Sequence, residues 1–247
     1  MRARYFTSAL ALWMAACSVA HAQPPADPVP SLGAVFKEVP RDLWKFVSWD
    51  TALVLGAGGG AALVGHTWDD DLADTVETST TFNNAMEPGH TSGAFSFQFA
   101  VGLGMYSTGW LAQKGKLARV GGDIMRAQLV GQAYAQALKF TVQRERPDAS
   151  NHVSFPSGHS ASAFATATVL QRHYGWWVGV PATLVAGYVA TARVHDNKHY
   201  LSDVIFGGAL GIAAQRTVML RGGRYGFAVS AAPLPGGGRV SVSVRPH

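Results

Sequence analysis

The sequence predicts an all-α protein: a helical bundle of about six core helices followed by a short C-terminal β-hairpin. The bundle is indicated by apolar, small-residue segments of helical length that loops rich in Gly, Pro and charge separate. These segments cover residues 51–66, 94–112, 122–143, 159–173, 175–193 and 200–218. With 48% hydrophobic and 14% charged residues, the chain has enough apolar side chains for a core, which excludes a disordered protein.

The N-terminal residues 1–22 have the pattern of a secretory signal peptide. Arg2 and Arg4 precede an apolar stretch, and Ala20-His21-Ala22 matches a small-residue cleavage site. The single cysteine, Cys17, lies within this segment, so a disulfide framework is excluded, and lipidation of Cys17 stays an alternative. We therefore expect export across the inner membrane.

Residues 23–50 are predicted to form a linker and an amphipathic segment. The stretch QPPADPVP at 23–30 cannot form a helix, whereas apolar residues recur at helical spacing over 32–47. Two interpretations remain open for the second part: a helix packed on the bundle, or a segment resting on a membrane surface.

The rest of the chain is divided into a catalytic bundle at 51–220 and a tail at 221–247. In the tail, Val240, Val242 and Val244 alternate with serines, which predicts a hairpin that needs the helical body for stability. We expect loops at 69–71, 87–89, 114–122 and 146–158. The three aspartates at 69–71 are interpreted as a solvated turn and Arg144 as solvent-facing, while the histidines outside the site described next are assigned structural roles.

Two segments place anion-binding groups near helix ends. Lys139 and Arg146 are seven residues apart, so both can project from one face if the helix persists until Pro147 stops it. Ser157, Gly158 and His159 open a small-residue helix, whose free N–H groups and dipole favour an anion. Both segments are therefore candidates for oxyanion binding.

A third segment adds Arg193, His199 and Asp203. His199 and Asp203 are four residues apart, so on one helical face the carboxylate can fix the imidazole tautomer and raise its basicity. Together the three segments supply cations, backbone donors and two histidines, a set that suits a tetrahedral oxyanion. One histidine can attack phosphorus while the other protonates the departing oxygen.

The motifs Lys139-x6-Arg146-Pro147, Pro156-Ser157-Gly158-His159 and Arg193-x5-His199-x3-Asp203 resemble the three-part signature of the type 2 phosphatidic acid phosphatase (PAP2) and vanadium haloperoxidase superfamily. The resemblance implies that His199 is the nucleophile, oriented by Asp203, and that His159 is the general acid and later the base. It also implies that the phosphoryl oxygens are held by Lys139, Arg146, Ser157, Gly158 and Arg193. One departure is Ala192, which stands where the family usually has serine before this arginine.

The expected activity is metal-independent hydrolysis of phosphate monoesters or diphosphates, with a lipid-linked substrate such as phosphatidic acid or a polyprenyl diphosphate. The alternatives are a soluble non-specific acid phosphatase, a vanadium-dependent haloperoxidase and a non-catalytic anion-binding protein. No cofactor is expected, although vanadate would fit the phosphate site. The net charge of +5 is spread along the chain, which argues against nucleic acid as a partner. A membrane surface is a candidate partner, and the oligomeric state is left open.

For location, a periplasmic bundle associated with a membrane surface is expected. The alternative is an integral inner-membrane enzyme whose active site faces outward. Spanning by all six helices would place the Lys114–Arg119 loop outside after signal cleavage, against the positive-inside tendency.

Overall fold

The computed structural model describes residues 28–75, 80–219, 226–234 and 237–245. The predicted signal peptide, with Cys17 and its cleavage site, lies outside these residues. The α-helices are α1 (Leu32–Lys37), α2 (Val39–Phe46), α3 (Trp49–Gly65), α4 (Asp69–Thr75), α5 (Thr80–Ser92), α6 (Phe95–Leu111), α7 (Gly115–Val142), α8 (Gly158–Tyr174), α9 (Trp176–His195) and α10 (Leu201–Met219). The six predicted core helices correspond to α3 and α6–α10.

Helices α7, α8 and α10 form the centre of the bundle. Their shared core is made of small and branched side chains, among them Ile124, Val130, Val169 and Leu210, all fully buried. Such side chains let helices pack closely. The three predicted motifs lie on these three helices, on the end of α9 and on the loops between them, so the core holds them in place.

The predicted loop at 114–122 is wrong, because α7 already begins at Gly115. The glycines that suggested a loop instead allow a close helix contact. A Cβ on Gly121 would lie 2.3 Å from the backbone nitrogen of Tyr106 in α6. The predicted loop at 87–89 is also helical, within α5, which contains Pro88.

Helices α1 and α2 pack on the bundle, as one of the two interpretations of this segment expected. The ring of Phe46 stacks on Tyr134 with centroids 4.0 Å apart, and the Tyr134 hydroxyl donates to the carbonyl of Leu43 at 2.7 Å. Buried Asp42 accepts from Arg126 of α7 at 2.7 Å. Trp44 nevertheless remains 82% exposed, so the segment also carries an outward apolar side chain.

By length and apolar character, no single helix among the described residues qualifies as a membrane span. One bent pair, Leu32–Phe46 with Trp49–Asp74, passes the same test jointly, with an angle of 66° between its halves.

In the tail, β1 (Gly226–Leu234) and β2 (Gly237–Arg245) pair antiparallel, with Val229 opposite Val242. Packing of this pair on the helical body stays a prediction.

Candidate active site

The loop before α8 is seated directly on α10. The backbone N–H of Ser157 donates to the carbonyl of Asp203 at 3.0 Å, and a Cβ on Gly207 would lie 2.4 Å from the Ser157 carbonyl oxygen. The Ser157 hydroxyl accepts from the backbone N–H of Ser160 at 3.4 Å and so caps α8. The start of α8, with its free N–H groups, is thereby held beside His199 and Asp203.

His199 and Asp203 face each other in the protein interior. His199 is 3% exposed and Asp203 is fully buried, and 3.9 Å separate Nδ1 of the imidazole from Oδ2 of the carboxylate. Nδ1 has no hydrogen-bond partner at this distance. A shift of about 1 Å would make the Nδ1–H···O bond. Because Nδ1 is the nitrogen nearest the carboxylate, Nε2 is the atom left for a substrate.

The carboxylate of Asp203 is satisfied from several sides. Oδ2 accepts from the Ser154 hydroxyl at 2.5 Å and from the Tyr200 backbone N–H at 3.0 Å, and Oδ1 accepts from Arg144 at 2.8 Å. Burial alone would raise the pKa of Asp203, but the nearby His199, the hydrogen bond from Ser154 and the charge of Arg144 hold that pKa below its usual value. Asp203 is therefore an anion behind His199.

Three cationic side chains meet near the two histidines. Buried Lys139 donates to the Val153 carbonyl, and its pKa is lowered to about 8 by burial and by the charges of Arg146 and Arg193. Arg193 is 3% exposed and donates to Asp196 at 2.8 Å, while its buried Nε has no hydrogen-bond partner among the described residues. The positive charges of Lys139, Arg193 and Arg146 repel one another, and a bound anion would relieve that repulsion. The pocket between them is therefore suited to an anion.

Arg146 reaches this pocket from a loop rather than from a helix face. Helix α7 ends at Val142, where Gln143 adopts a left-handed conformation with φ 49°, so the helix does not persist to Arg146 and the condition for Lys139 and Arg146 to share one helical face is not met. Arg146 is placed by two bonds with Asn151: a backbone pair at 3.0 Å and a contact from Nε to the side-chain oxygen at 2.9 Å.

His159 lies in the first turn of α8, close to the same charges. Burial and the nearby Arg193 and His199 lower the pKa of His159 to about 3, and a hydrogen bond with the backbone of His90 opposes that shift. Burial likewise lowers the pKa of His199 to about 4, against the pull of Asp203. Nε2 of His159 is buried without a hydrogen-bond partner. Both imidazoles are thus neutral at pH 7.

The structure therefore brings together every residue of the predicted site. Its members are Lys139, Arg146, Ser157, Gly158, His159, Arg193, His199 and Asp203. Their individual roles stay predictions. The hydroxyl oxygen of Ser157 accepts the hydrogen bond that caps α8, so its proton is the part of the hydroxyl that could be donated to a phosphoryl oxygen.

Sequence reasoning missed several polar residues around Asp203. Arg144, predicted to face solvent, instead reaches Asp203 and Asp69, and Asp69, assigned to a solvated turn, is 1% exposed. Ser202 and Ser154 complete this environment. Only a weak indication of these roles is present in the sequence. Arg144 stands two positions before Arg146, and Asp69 is one of three consecutive aspartates. No group of three or more His, Cys, Asp or Glu side chains among the described residues is placed to hold a metal ion.

The helical fold, two nearby histidines and a cluster of cations define a class of protein that handles phosphoryl groups. The model of the PAP2 superfamily matches residues 123–224. A decaprenylphosphoryl-5-phosphoribose phosphatase from Mycolicibacterium smegmatis is 32% identical over 139 residues, which cover 50% of this chain and 74% of that protein. The chain belongs to the PAP2 superfamily, and the resemblance inferred from its three motifs is confirmed.

Two further relatives match over shorter stretches. A lipid A 1-phosphatase from Porphyromonas gingivalis is 39% identical over 93 residues, covering 36% of this chain and 21% of that protein. A decaprenylphosphoryl-5-phosphoribose phosphatase from Mycobacterium tuberculosis is 35% identical over 103 residues, 38% of this chain and 56% of that protein. The chain thus spans about a fifth and about half of these two relatives.

Among solved structures, the crystal structure of a transmembrane PAP2-type phosphatidylglycerolphosphate phosphatase from Bacillus subtilis matches with a TM-score of 0.49 and 20% identity. The match covers 75% of this chain and 92% of that one.

Proposed function

We propose that this protein is a metal-independent phosphatase that hydrolyses lipid-linked phosphate monoesters or diphosphates through a phosphohistidine intermediate on His199. The observation that carries the proposal is the meeting of two neutral histidines, buried His199 and half-buried His159, with three cations at the start of α8. A phosphoryl group can interact with all of these groups at once. The cations and the helix N–H groups bind its oxygens, one histidine attacks phosphorus, and the other protonates the leaving oxygen on the opposite side.

In the first step, Nε2 of His199 attacks phosphorus and the bond from phosphorus to the ester oxygen breaks. His199 is neutral because its pKa lies near 4, so its lone pair is available. His159 gives its proton to the departing oxygen. The pKa of His159 is about 3, and the negative charge of a bound phosphate raises it toward a value suited to an acid.

In the second step, His159 takes a proton from water, and the oxygen of that water attacks phosphorus. The bond from phosphorus to nitrogen breaks, inorganic phosphate leaves, and His199 returns to its neutral form. Lys139, Arg146 and Arg193 stabilise the charge on the equatorial oxygens through both steps, which is the work that a Mg²⁺ ion would otherwise do.

A lipid-linked substrate is supported by the surface of the bundle. Its exposed large apolar side chains include Trp44 at 82%, Trp49 at 85%, Trp176 at 72%, Trp177 at 94% and Leu184 at 71%. Aromatic side chains of this kind favour the boundary between water and lipid. The names of the relatives, lipid A 1-phosphatase and decaprenylphosphoryl-5-phosphoribose phosphatase, point the same way. We place the protein at the outer side of the inner membrane, after export.

The test is release of inorganic phosphate from three substrates: phosphatidic acid in detergent micelles, a polyprenyl diphosphate and p-nitrophenyl phosphate. We expect kcat/KM for one of the two lipids to exceed that for the soluble ester by about tenfold or more, because the lipid adds apolar contacts. Excess chelator should leave every rate intact. Equal values for all three would identify a non-specific acid phosphatase, and dependence on vanadate and peroxide would identify a haloperoxidase. Absence of turnover would leave an anion-binding protein.

The pH dependence of kcat/KM is a second expected result. Activity should fall as the pH drops through about 4, where His199 gains a proton and loses its lone pair. It should also fall as the pH rises through about 8, where Lys139 loses the charge that binds phosphate. In Lys139→Arg the alkaline limb should move beyond pH ~10, because arginine keeps its proton.

The matched control for this profile is Lys37→Arg, which changes an exposed lysine of α1. Its profile should equal that of the unmodified protein. An alkaline limb that stays near pH 8 in Lys139→Arg would contradict the assignment of Lys139.

A further inference from the structure

A chain of buried charges runs from α4 to the candidate active site. Arg144 lies between two carboxylates: Nη1 donates to Oδ1 of Asp203 at 2.8 Å, and Nη2 donates to Oδ2 of Asp69 at 2.9 Å. Nη1 also donates to the Ser202 hydroxyl at 2.7 Å. The guanidinium carbon lies 4.0 Å above the centre of the Tyr200 ring. One planar group is thus fixed by four neighbours.

Asp69 is itself held firmly by the residue before Asp203. The backbone N–H of Ser202 donates to Oδ1 of Asp69 at 2.9 Å and the Ser202 hydroxyl donates to Oδ2 at 2.5 Å, while His66 contacts Oδ2 at 2.7 Å. Burial would raise the pKa of Asp69, but these hydrogen bonds and that from Arg144 hold it below its usual value. Asp69 is therefore an anion that fixes the far end of Arg144.

The division of bonds between the two oxygens of Asp203 has a consequence for His199. Arg144 binds Oδ1 through one arm of a guanidinium whose other arm is bound to Asp69, so Oδ1 is fixed in place and Oδ2 is turned toward Nδ1 of His199. A guanidinium suits this task because its donors lie in one plane and keep their charge when buried. The Ser154 hydroxyl and the Tyr200 N–H already hold Oδ2, so among the described residues Arg144 is the group that fixes the second oxygen and with it the tilt of the carboxylate.

We propose that Arg144, anchored by Asp69 and Ser202, is a positioning residue that fixes the Asp203 carboxylate so that its Oδ2 orients the imidazole of His199. The inference rests on the proposed function, in which His199 is the nucleophile. Arg144 acts through Asp203 and touches no reacting atom. Besides Arg144, the charged or titratable groups that act on Asp203 are His199 and Tyr200 of the loop before α10 and Lys139 of α7, with Asp69 of α4 acting through the guanidinium.

The test compares Arg144→Met, Arg144→Lys and Asp69→Asn with the matched control Arg172→Met, which changes an exposed arginine of α8. In Arg144→Met we expect kcat to fall by about 100-fold while KM changes by less than about threefold, because phosphate contacts are intact. Arg144→Lys keeps the charge but not the fork, so its kcat should lie between the two. Asp69→Asn should lower kcat by about tenfold. Arg172→Met should match the unmodified protein.

The pH profile separates positioning from general destabilisation. Without Arg144 the pKa of Asp203 rises, so Asp203 is protonated at a higher pH and the acid limb of kcat moves upward. A merely structural loss would lower the amount of folded enzyme without moving that limb. Far-ultraviolet circular dichroism before each assay shows which variants are folded. If Arg144→Met does not fold, the acid limb of kcat is measured in Arg144→Lys and Asp69→Asn instead, and an upward shift of that limb supports positioning.

A readout that needs no turnover is the tautomer of His199, measured by nitrogen NMR on the full-length protein. We expect the Nδ1–H form in the unmodified protein and a mixture of tautomers in Arg144→Lys. The inference is overturned if folded Arg144→Met and Asp69→Asn keep kcat within about twofold of the unmodified protein with an unmoved acid limb, or if the tautomer is unchanged in every variant. If the unmodified protein releases no phosphate, the proposed function fails, while the tautomer still tests the link between Arg144 and His199.

Discussion

Replacing His199 by alanine is expected to lower kcat by about 10⁴-fold or more, because it removes the atom that attacks phosphorus. The buried position of His199, with Asp203 behind it and no other imidazole nitrogen aligned by a carboxylate in the described site, leaves no substitute nucleophile. The measurement is steady-state phosphate release, together with recovery of labelled phosphoenzyme after an alkaline quench, since phosphohistidine survives alkali.

The matched control for this variant is His152→Ala, which removes an exposed histidine from the loop before α8. It should retain the full rate and the full yield of phosphoenzyme. Turnover in His199→Ala at the rate of the unmodified protein would eliminate His199 as the nucleophile, and trapped phosphate on another residue would identify the group that replaces it.

Replacing His159 by alanine is expected to give a loss that depends on the leaving group. For an alkyl phosphate, whose departing oxygen needs a proton, kcat should fall by about 10³-fold. With p-nitrophenyl phosphate the phenolate leaves unaided, so phosphorylation of His199 should survive. Hydrolysis of the intermediate should then be slow, because His159 is also the base for water. We therefore expect a burst of p-nitrophenol and accumulation of phosphoenzyme.

The control for this second variant is His173→Ala on the same helix. His173 contacts Asp123 at 2.9 Å and lies outside the site, so its loss should affect both substrates equally. An equal loss with alkyl and aryl phosphates in His159→Ala, without any burst, would exclude His159 from proton transfer and leave it a binding role.

The candidate site residues could be predicted from the sequence because they lie in three short motifs. Ser157 stands directly before a small-residue helix, where a serine side chain caps a helix. His199 lies only four positions before Asp203, so the two are close in space, although His199 belongs to the loop before α10 and the two do not share a helical face. The core helices were predictable for a similar reason, since apolar composition over helical lengths was sufficient to identify them.

The errors arose where long-range packing overruled local signals. Gly121 suggested a loop, but it allows α7 to approach the backbone of α6. Asp69 suggested a solvated turn, but it is buried against Ser202, 133 positions away in the chain. Arg144 suggested a surface charge, but its partners lie 59 and 75 positions away. Contacts between residues so far apart in the chain cannot be predicted from the periodicity of the sequence.

The sequence by itself thus determined the helical class, the three motifs of the candidate site and the family, because each depends on residues that are near one another in the chain. Only the tertiary structure decided how Asp203 is held, where Arg146 reaches the pocket, and how low the pKa values of His159 and His199 fall. Burial and charge at a point in space depend on every element packed around that point, and those elements come from distant parts of the chain.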